Sequence, residues 1–329
     1  MSQNERDIKR FLQIKNVNGL SQATIKNLEF IINGLKEYLK GKPFKETTEQ
    51  DVLGFLIYKK EHGASPGSQR TYSIAIKAFY RFLYDLPLHQ YPRQVLNLRN
   101  GNHTRKLPIR PEDVITKEDV AYLVKHCTNY RNEAIVVTLY ESAARVGEFV
   151  NMNIGHLKFD DKGIVIIIEG KTGQRRIRLV ESVPYIQKWL ENHPLKDNKE
   201  APLWCSLYSP YERIQEQTVY VFLKGLKKRT KFGKFLNPHA FRHSRLTELS
   251  KYLSDSKLKV FAGWAASSRM CGVYVHLSGS DLESDLLRIA GVETKEQKIE
   301  VSPLKVRLCP RCQAKNAGTN EFCMHACRN

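Results

Sequence analysis

Asn237-Pro238-His239-Ala240-Phe241-Arg242-His243 is the stretch on which the fold of this chain turns, and an apolar helical pattern follows it. In a helix, the i,i+3 spacing of His239 and Arg242 puts both side chains on one face. A guanidinium offers a rigid fork of donors and an imidazole a further donor or a proton, so the pair suits a phosphate group. By themselves the same residues describe a helix start with Pro238 near its first position and a histidine that caps or packs. The company the pair keeps elsewhere in the chain decides between the two.

Upstream, Glu141-Ser142-Ala143-Ala144-Arg145-Val146-Gly147-Glu148-Phe149 sets Arg145 where one apolar helix ends and another begins, among small neighbours. Glu148 is spaced to orient that guanidinium, although an isolated Arg and Glu three apart ordinarily form only a surface pair. Lys171 stands at the apex of a hairpin expected between the β-branched runs 163–168 and 176–180, joined through 169–175. A loop on rigid strands is a good carrier for a mobile amine, while lysine in a turn is commonly only solubilising. Downstream, Trp264 offers an indole N–H, and Tyr274 puts a phenolic oxygen in an apolar, small-residue setting that equally suits a half-buried core tyrosine.

Taken in order, Arg145, Lys171, His239-x-x-Arg242, Gly263-Trp264 and Tyr274 resemble the signature of the tyrosine recombinases, the integrases and Xer-like proteins that cut and rejoin DNA. The resemblance covers most of the chain. The family pattern T-G-x-R-x-x-E falls on Ser142 to Glu148, keeping Arg145 and Glu148 but with serine and alanine for threonine and glycine. The strand-turn lysine falls on Lys171, and the box H-x-x-R-H falls on His239, Arg242 and His243 without a gap. Trp264 stands where histidine is commoner, which keeps a donor and removes a proton acceptor. Its separation from Tyr274 is one residue longer than is common, and His276 matches the frequent Y-x-H ending, as in archaeal and archaeal-virus members.

The resemblance implies a mainly α fold with a small antiparallel β-sheet: a helical SAM-like core-binding domain followed by a tyrosine-recombinase catalytic domain, the two clamping duplex DNA. It also implies roles. Arg145 and Arg242 bind the non-bridging oxygens of the scissile phosphate, where charge develops. Tyr274 attacks in line to form a 3′-phosphotyrosyl link. Lys171 protonates the leaving 5′-oxygen, His239 transfers a proton near the nucleophile, and Trp264 positions the phosphate. Chemistry of this kind needs no divalent ion and no ATP, because the phosphotyrosyl bond conserves the free energy of the phosphodiester. The function expected is site-specific recombination, with integration favoured. The alternatives are a type IB topoisomerase-like activity and a catalytically inactive DNA-binding regulator on the same fold. Strand exchange implies dimers on each site and a tetrameric synapse on DNA.

Composition agrees with a nucleic-acid partner. Lys and Arg number 53 against 34 acidic residues, a formal charge of +19, which points to a polyanion. No apolar run approaches the roughly 18 residues that would span a bilayer, and Met1 to Arg6 lacks a signal-peptide core. A cytoplasmic, nucleoid-associated protein without a membrane partner is the expectation. Helical patterns over 6–18, from Ser21 to about 40, from Thr48 to about 61 and over 68–84 describe a bundle within a first domain at 1–98. A basic linker at 99–111 leads to a catalytic domain at 112–290, with helices expected after Thr116 and over 131–143, 182–193, 209–228, 239–254, 256–262 and 280–290.

Four of the seven cysteines crowd into the C-terminal stretch, as Cys309-x-x-Cys312 and Cys323-x-x-x-Cys327. That spacing resembles the paired thiolate hooks of a zinc ribbon. The expectation is a tether over 291–308 and a zinc module at 309–329, the ion being structural and bound by Cys309, Cys312, Cys323 and Cys327, with His325 able to replace one of them. A module this small cannot build a core without its metal.

Overall fold

The computed structural model describes residues 1–98, 111–170, 173–275, 290, 302–320 and 323. Most of the linker expected over 99–111, the helix expected near 280–290, and Lys171, His276, His325 and Cys327 lie outside the described residues. The chain divides into two compact units, Met1–Lys106 and Leu107–Asn329.

The first unit is helical: α1 (Gln3–Val17), α2 (Gln22–Tyr38), α3 (Glu49–Glu61), α4 (Pro66–Leu83) and the short α5 (Arg93–Leu96). Ser21 caps α2 and Thr48 caps α3, each side chain accepting from a backbone N–H of the first turn. Helix α1 starts earlier than expected because Ser2 and Glu5 form a reciprocal capping box. Phe11, Phe44, Phe55 and Phe79 are 0–1 % exposed and build the core, with Phe79 edge-on to Phe11 and Phe44 at 5.2 and 4.8 Å. Ile74 is 44 % exposed, and the buried stripe of α4 runs through Ala75, Ile76, Phe79, Tyr80 and Leu83.

The second unit begins with α6 (Lys117–Lys125), capped by the Thr116–Asp119 box, and α7 (Tyr130–Ser142), which is buried from Ala134 onward. Then come α8 (Val146–Val150) and a three-stranded antiparallel sheet in the order β1 (Leu157–Asp160), β2 (Gly163–Gly170), β3 (Gly173–Leu179). Ile164 pairs with Leu179 and Ile166 with Ile177, so one face of the hairpin joins the core beside Val136, Leu139 and Phe149. The first strand escaped the sequence reading because it is short and all but Leu157 is exposed.

After α9 (Val183–Glu191) the chain loops to α10 (Glu216–Thr230). The helix expected from residue 209 therefore begins seven residues late, at 216. Ser209-Pro210, positive φ at Tyr211, and Arg213 donating to the carbonyls of Val150 and Met152 hold 209–215 in a loop. Helices α11 (Pro238–Leu249), α12 (Asp255–Ala262) and α13 (Cys271–Val275) follow, and a two-stranded ribbon, β4 (Arg307–Leu308) with β5 (Lys315–Asn316), completes the described chain. Buried Glu141 at the end of α7 accepts from the N–H groups of Val180, Glu181 and Ser182, tying α7 to the turn after β3.

Candidate active site

Helix α11 carries three of the groups singled out above. Asn237 caps it through the N–H of Ala240, so His239, Arg242 and His243 emerge from its first two turns. Arg242 is 4 % exposed; its Nη1 donates to the carbonyl of Ala143 and its Nη2 to that of Ala262, both at 2.6 Å. Arg145, at the mouth of α8, donates through Nη2 to the next carbonyl along, Gly263, at 3.1 Å. Successive carbonyls at the end of α12 thus hold two guanidiniums from different helices.

Glu148 is the only carboxylate with described ion pairs to this group. Its Oε1 accepts from Arg145 Nη1 at 2.7 Å, and its Oε2 accepts from the Arg145 backbone N–H at 2.9 Å and from Arg175 Nη2 at 2.6 Å. Burial alone would raise its pKa, but Arg175 and Arg145 bring it down to about 2. Two guanidiniums therefore pair with one carboxylate, and Arg242 feels the charge of all three. Desolvation first, then repulsion from Arg145 and Arg175, lowers Arg242 to about 10. A site with this surplus of positive charge is built to receive an anion.

Arg175 was missed by sequence reading, which placed it in the loop before a strand starting at 176. The strand starts at Gly173, and Arg175 lies on the core-facing side with Ile177 and Leu179. Period-two alternation extended back from Leu179 was the available signal.

Tyr274, on α13, is 1 % exposed. Its ring lies 5.5 Å from Trp264 at 24° and 5.6 Å from His243 at 28°, and Arg242 stands over the Trp264 ring at 5.8 Å. The Tyr274 hydroxyl is 2.6 Å from His243 Nδ1. Burial pushes the phenol up to about 12 against the opposing pull of Arg242. Desolvation, then His239 and Arg242, depress His243 to about 4, so the imidazole is neutral at physiological pH. His239 packs edge-on to His243 at 4.4 Å. It keeps an exposed edge yet lies deep enough that desolvation, then Arg242 and Arg145, hold it below the ordinary histidine range.

The structure thus joins Arg145, His239, Arg242, Trp264 and Tyr274 in one connected set of contacts. It adds His243, which makes the described bond to the nucleophile candidate, together with Arg175 and Glu148.

Gly263 has a specific task here. It adopts φ +62° at the end of α12, and a Cβ built on it would lie 2.7 Å from Arg175 Nη1. Gly263→Ala should cost about 1–3 kcal/mol, from left-handed backbone strain and displacement of Arg175. Urea unfolding reads that loss.

Acid should weaken this fold in two separable windows. His243 titrates near 6.5 unfolded and about 4 folded, so its contribution is complete above 6.5 and is lost as pH falls towards 4. Glu148 moves from 4.5 to about 2, so its contribution is lost over that lower range. In pH-dependent urea unfolding, His243→Asn should flatten the upper window alone and Glu148→Gln the lower one.

At the C-terminal ribbon, the Sγ atoms of Cys309, Cys312 and Cys323 lie within 4.8 Å of one another. Cys312 and Cys323 are 3.7 Å apart, close to the roughly 3.8 Å edge of a tetrahedron with Zn–S bonds of about 2.3 Å. Backbone N–H groups of Cys312 and Arg311 lower the pKa of Cys309, favouring its thiolate. These residues fit zinc.

Residues 113–280 match the phage integrase family, and residues 8–90 match the phage integrase N-terminal SAM-like domain. A tyrosine recombinase XerD of Oceanobacillus iheyensis is 25% identical over 290 residues, covering 84% of this chain and 94% of that protein. A tyrosine recombinase of Synechococcus elongatus is 36% identical over 122 residues, covering 36% of this chain and 38% of its own length. Among solved structures, XerH site-specific recombinase bound to its palindromic difH substrate superposes with a TM-score of 0.65 at 18% identity, covering 87% of this chain and 85% of that one. A lambda integrase dimer bound to a COC′ core site gives 0.64 at 15% identity, covering 90% and 80%.

Proposed function

The chain belongs to the phage integrase family and is a tyrosine recombinase; from that premise we propose that it cuts and rejoins duplex DNA at a specific site through a 3′-phosphotyrosyl intermediate. One observation carries the catalytic reading. The Tyr274 hydroxyl bonds an imidazole on the helix that also supplies Arg242, and Arg242 and Arg145 are fixed by adjacent carbonyls.

The chemistry follows from those groups. The scissile phosphate enters the surplus positive charge, its non-bridging oxygens facing Arg145 and Arg242. The Tyr274 oxygen bonds phosphorus as the bond to the 5′-oxygen breaks, and the phenolic proton passes to His243 Nδ1. Lys171 protonates the leaving 5′-oxygen, as the family resemblance implies. Each guanidinium contributes on the order of 3–4 kcal/mol to the transition state. His239, expected to transfer a proton near the nucleophile, acts in this reading through the His243 ring and towards the phosphate. Trp264 orients Tyr274 and Arg242.

Rejoining reverses the steps with an incoming 5′-hydroxyl, so neither ATP nor a divalent ion enters the reaction. The cofactor we assign is one structural zinc ion, on Cys309, Cys312, Cys323 and Cys327. DNA-bound relatives include the lambda integrase dimer on a core site and a lambda integrase tetramer on a Holliday junction. By analogy this chain forms a dimer on each site and a tetramer on two duplexes. We favour integration of a mobile element, and action at the nucleoid. The domain reading stays at 1–98 and 112–290 about a basic linker.

The test is incubation with duplex carrying a nicked candidate site, without nucleotide or magnesium, followed by a denaturing gel. A covalent protein–DNA adduct is the expected product. Site-specific binding without an adduct on any cognate duplex would instead mark a regulator that no longer cuts.

A further inference from the structure

Residues 302–308 were expected to belong to a free tether, yet they pack on the catalytic unit. Leu304 and Ala317 are both 0 % exposed and join its main core. Polar contacts surround them. Thr319 Oγ1 lies 2.6 Å from the Tyr185 hydroxyl on α9, and Ser302 donates to Glu181 at 2.8 Å. Lys315 donates to the Asp161 carbonyl at 2.8 Å, in the turn between β1 and β2. Glu181 is itself paired with Lys117 at 2.8 Å, so the tail completes a network already present in the unit.

The ribbon that makes these contacts is too small to hold itself. Strands β4 and β5 have two residues each, far below what forms a stable hairpin in water. Its two arms nevertheless approach very closely: a Cβ on Gly318 would lie 2.4 Å from the Pro303 carbonyl and 2.6 Å from that of Lys305. Something must close the loop between residues 309 and 323, and three sulfurs converge there.

We propose that the zinc ion is a staple: by tying Cys309 and Cys312 to Cys323 it locks residues 302–320 onto α9 and the β1–β2 turn, making the tail a structural layer of the catalytic unit. This deepens the zinc assignment and rests on it. The staple acts away from the chemistry, since none of the described tail contacts involves Arg145, Arg242, His243 or Tyr274. It also distinguishes the tail from a DNA-reading appendage, which would be held by the metal but carry no weight in the fold.

Full-length protein purified without chelator should contain about one zinc per chain by elemental analysis. Removing it, or Cys312→Ser, should lower the melting temperature by on the order of 5–10 °C and open the 302–320 segment and α9 to amide hydrogen exchange. Gly318→Ala should reproduce that exchange pattern with zinc still bound, because it separates the arms without touching a ligand. Below both melting transitions, the zinc-free protein should still form the covalent adduct on a nicked site. Absence of zinc under these conditions would overturn the metal assignment itself. Stoichiometric zinc whose removal changes neither melting nor exchange at α9 would overturn the staple alone, as would a loss of DNA affinity as its sole effect.

Discussion

Tyr274→Phe should bind site DNA as tightly as the native chain and form no covalent adduct, a loss of on the order of 10⁴-fold or more in cleavage rate. The substitution removes one oxygen, and that oxygen is the one held 2.6 Å from His243 Nδ1. Among the described residues, no other hydroxyl bonds the same imidazole nitrogen. Tyr252 is 68 % exposed and makes no described contact with the arginine cluster. Stability should fall by only about 1 kcal/mol, since one buried hydrogen bond is lost while the ring keeps its packing against Trp264. Binding is read by gel shift and cleavage by a denaturing gel on a nicked duplex. An adduct that persists in the variant would remove Tyr274 from the mechanism and direct attention to another tyrosine.

The comparison of His243 with His239 shows where sequence stops being informative. The two histidines are i,i+4 on α11 and therefore share a face. Which of them meets the tyrosine depends on where α13 packs, and nothing local to residues 237–249 encodes that. The helix caps were legible because Ser21, Thr48 and Thr116 act on backbone N–H groups within one turn. Ala143 was half legible. It ends α7 at φ +47°, the left-handed conformation that a glycine adopts without cost, and glycine is what the family pattern places there. The cysteine spacing announced that the thiols of Cys309, Cys312 and Cys323 converge. The docking of the tail was hidden, because the alternation of Leu304, Val306 and Leu308 marks a short strand but not what that strand packs on: Leu304 is fully buried while Leu308 is exposed, and Ala317 stands outside the pattern. Arg175 was concealed differently: a charged residue beside a turn reads as loop until the strand register puts it inside.

Glu148→Ala should be the most destabilising single change in the candidate active site, at about 3–5 kcal/mol, the usual result of leaving a buried charge without its partner. The two arms of the ion pair differ in weight. Arg145 is 40 % exposed at its side chain and can turn to water, whereas Arg175 is 5 % exposed and cannot. Arg175 Nε already has no described hydrogen-bond partner, so removing the carboxylate strands a guanidinium that has little else to bond. A double-mutant cycle measures this directly: Arg175→Met in the Glu148→Ala background should recover part of the loss, because it removes the orphaned charge along with its desolvation cost. Sulfate or phosphate should also stabilise Glu148→Ala more than the native chain, by occupying the space between Arg145, Arg175 and Arg242. DNA cleavage should still fall sharply, since Arg145 and Arg175 lose the carboxylate that fixes them. Equal melting shifts in native and variant protein across a sulfate titration would show that the three arginines do not act as one anion site.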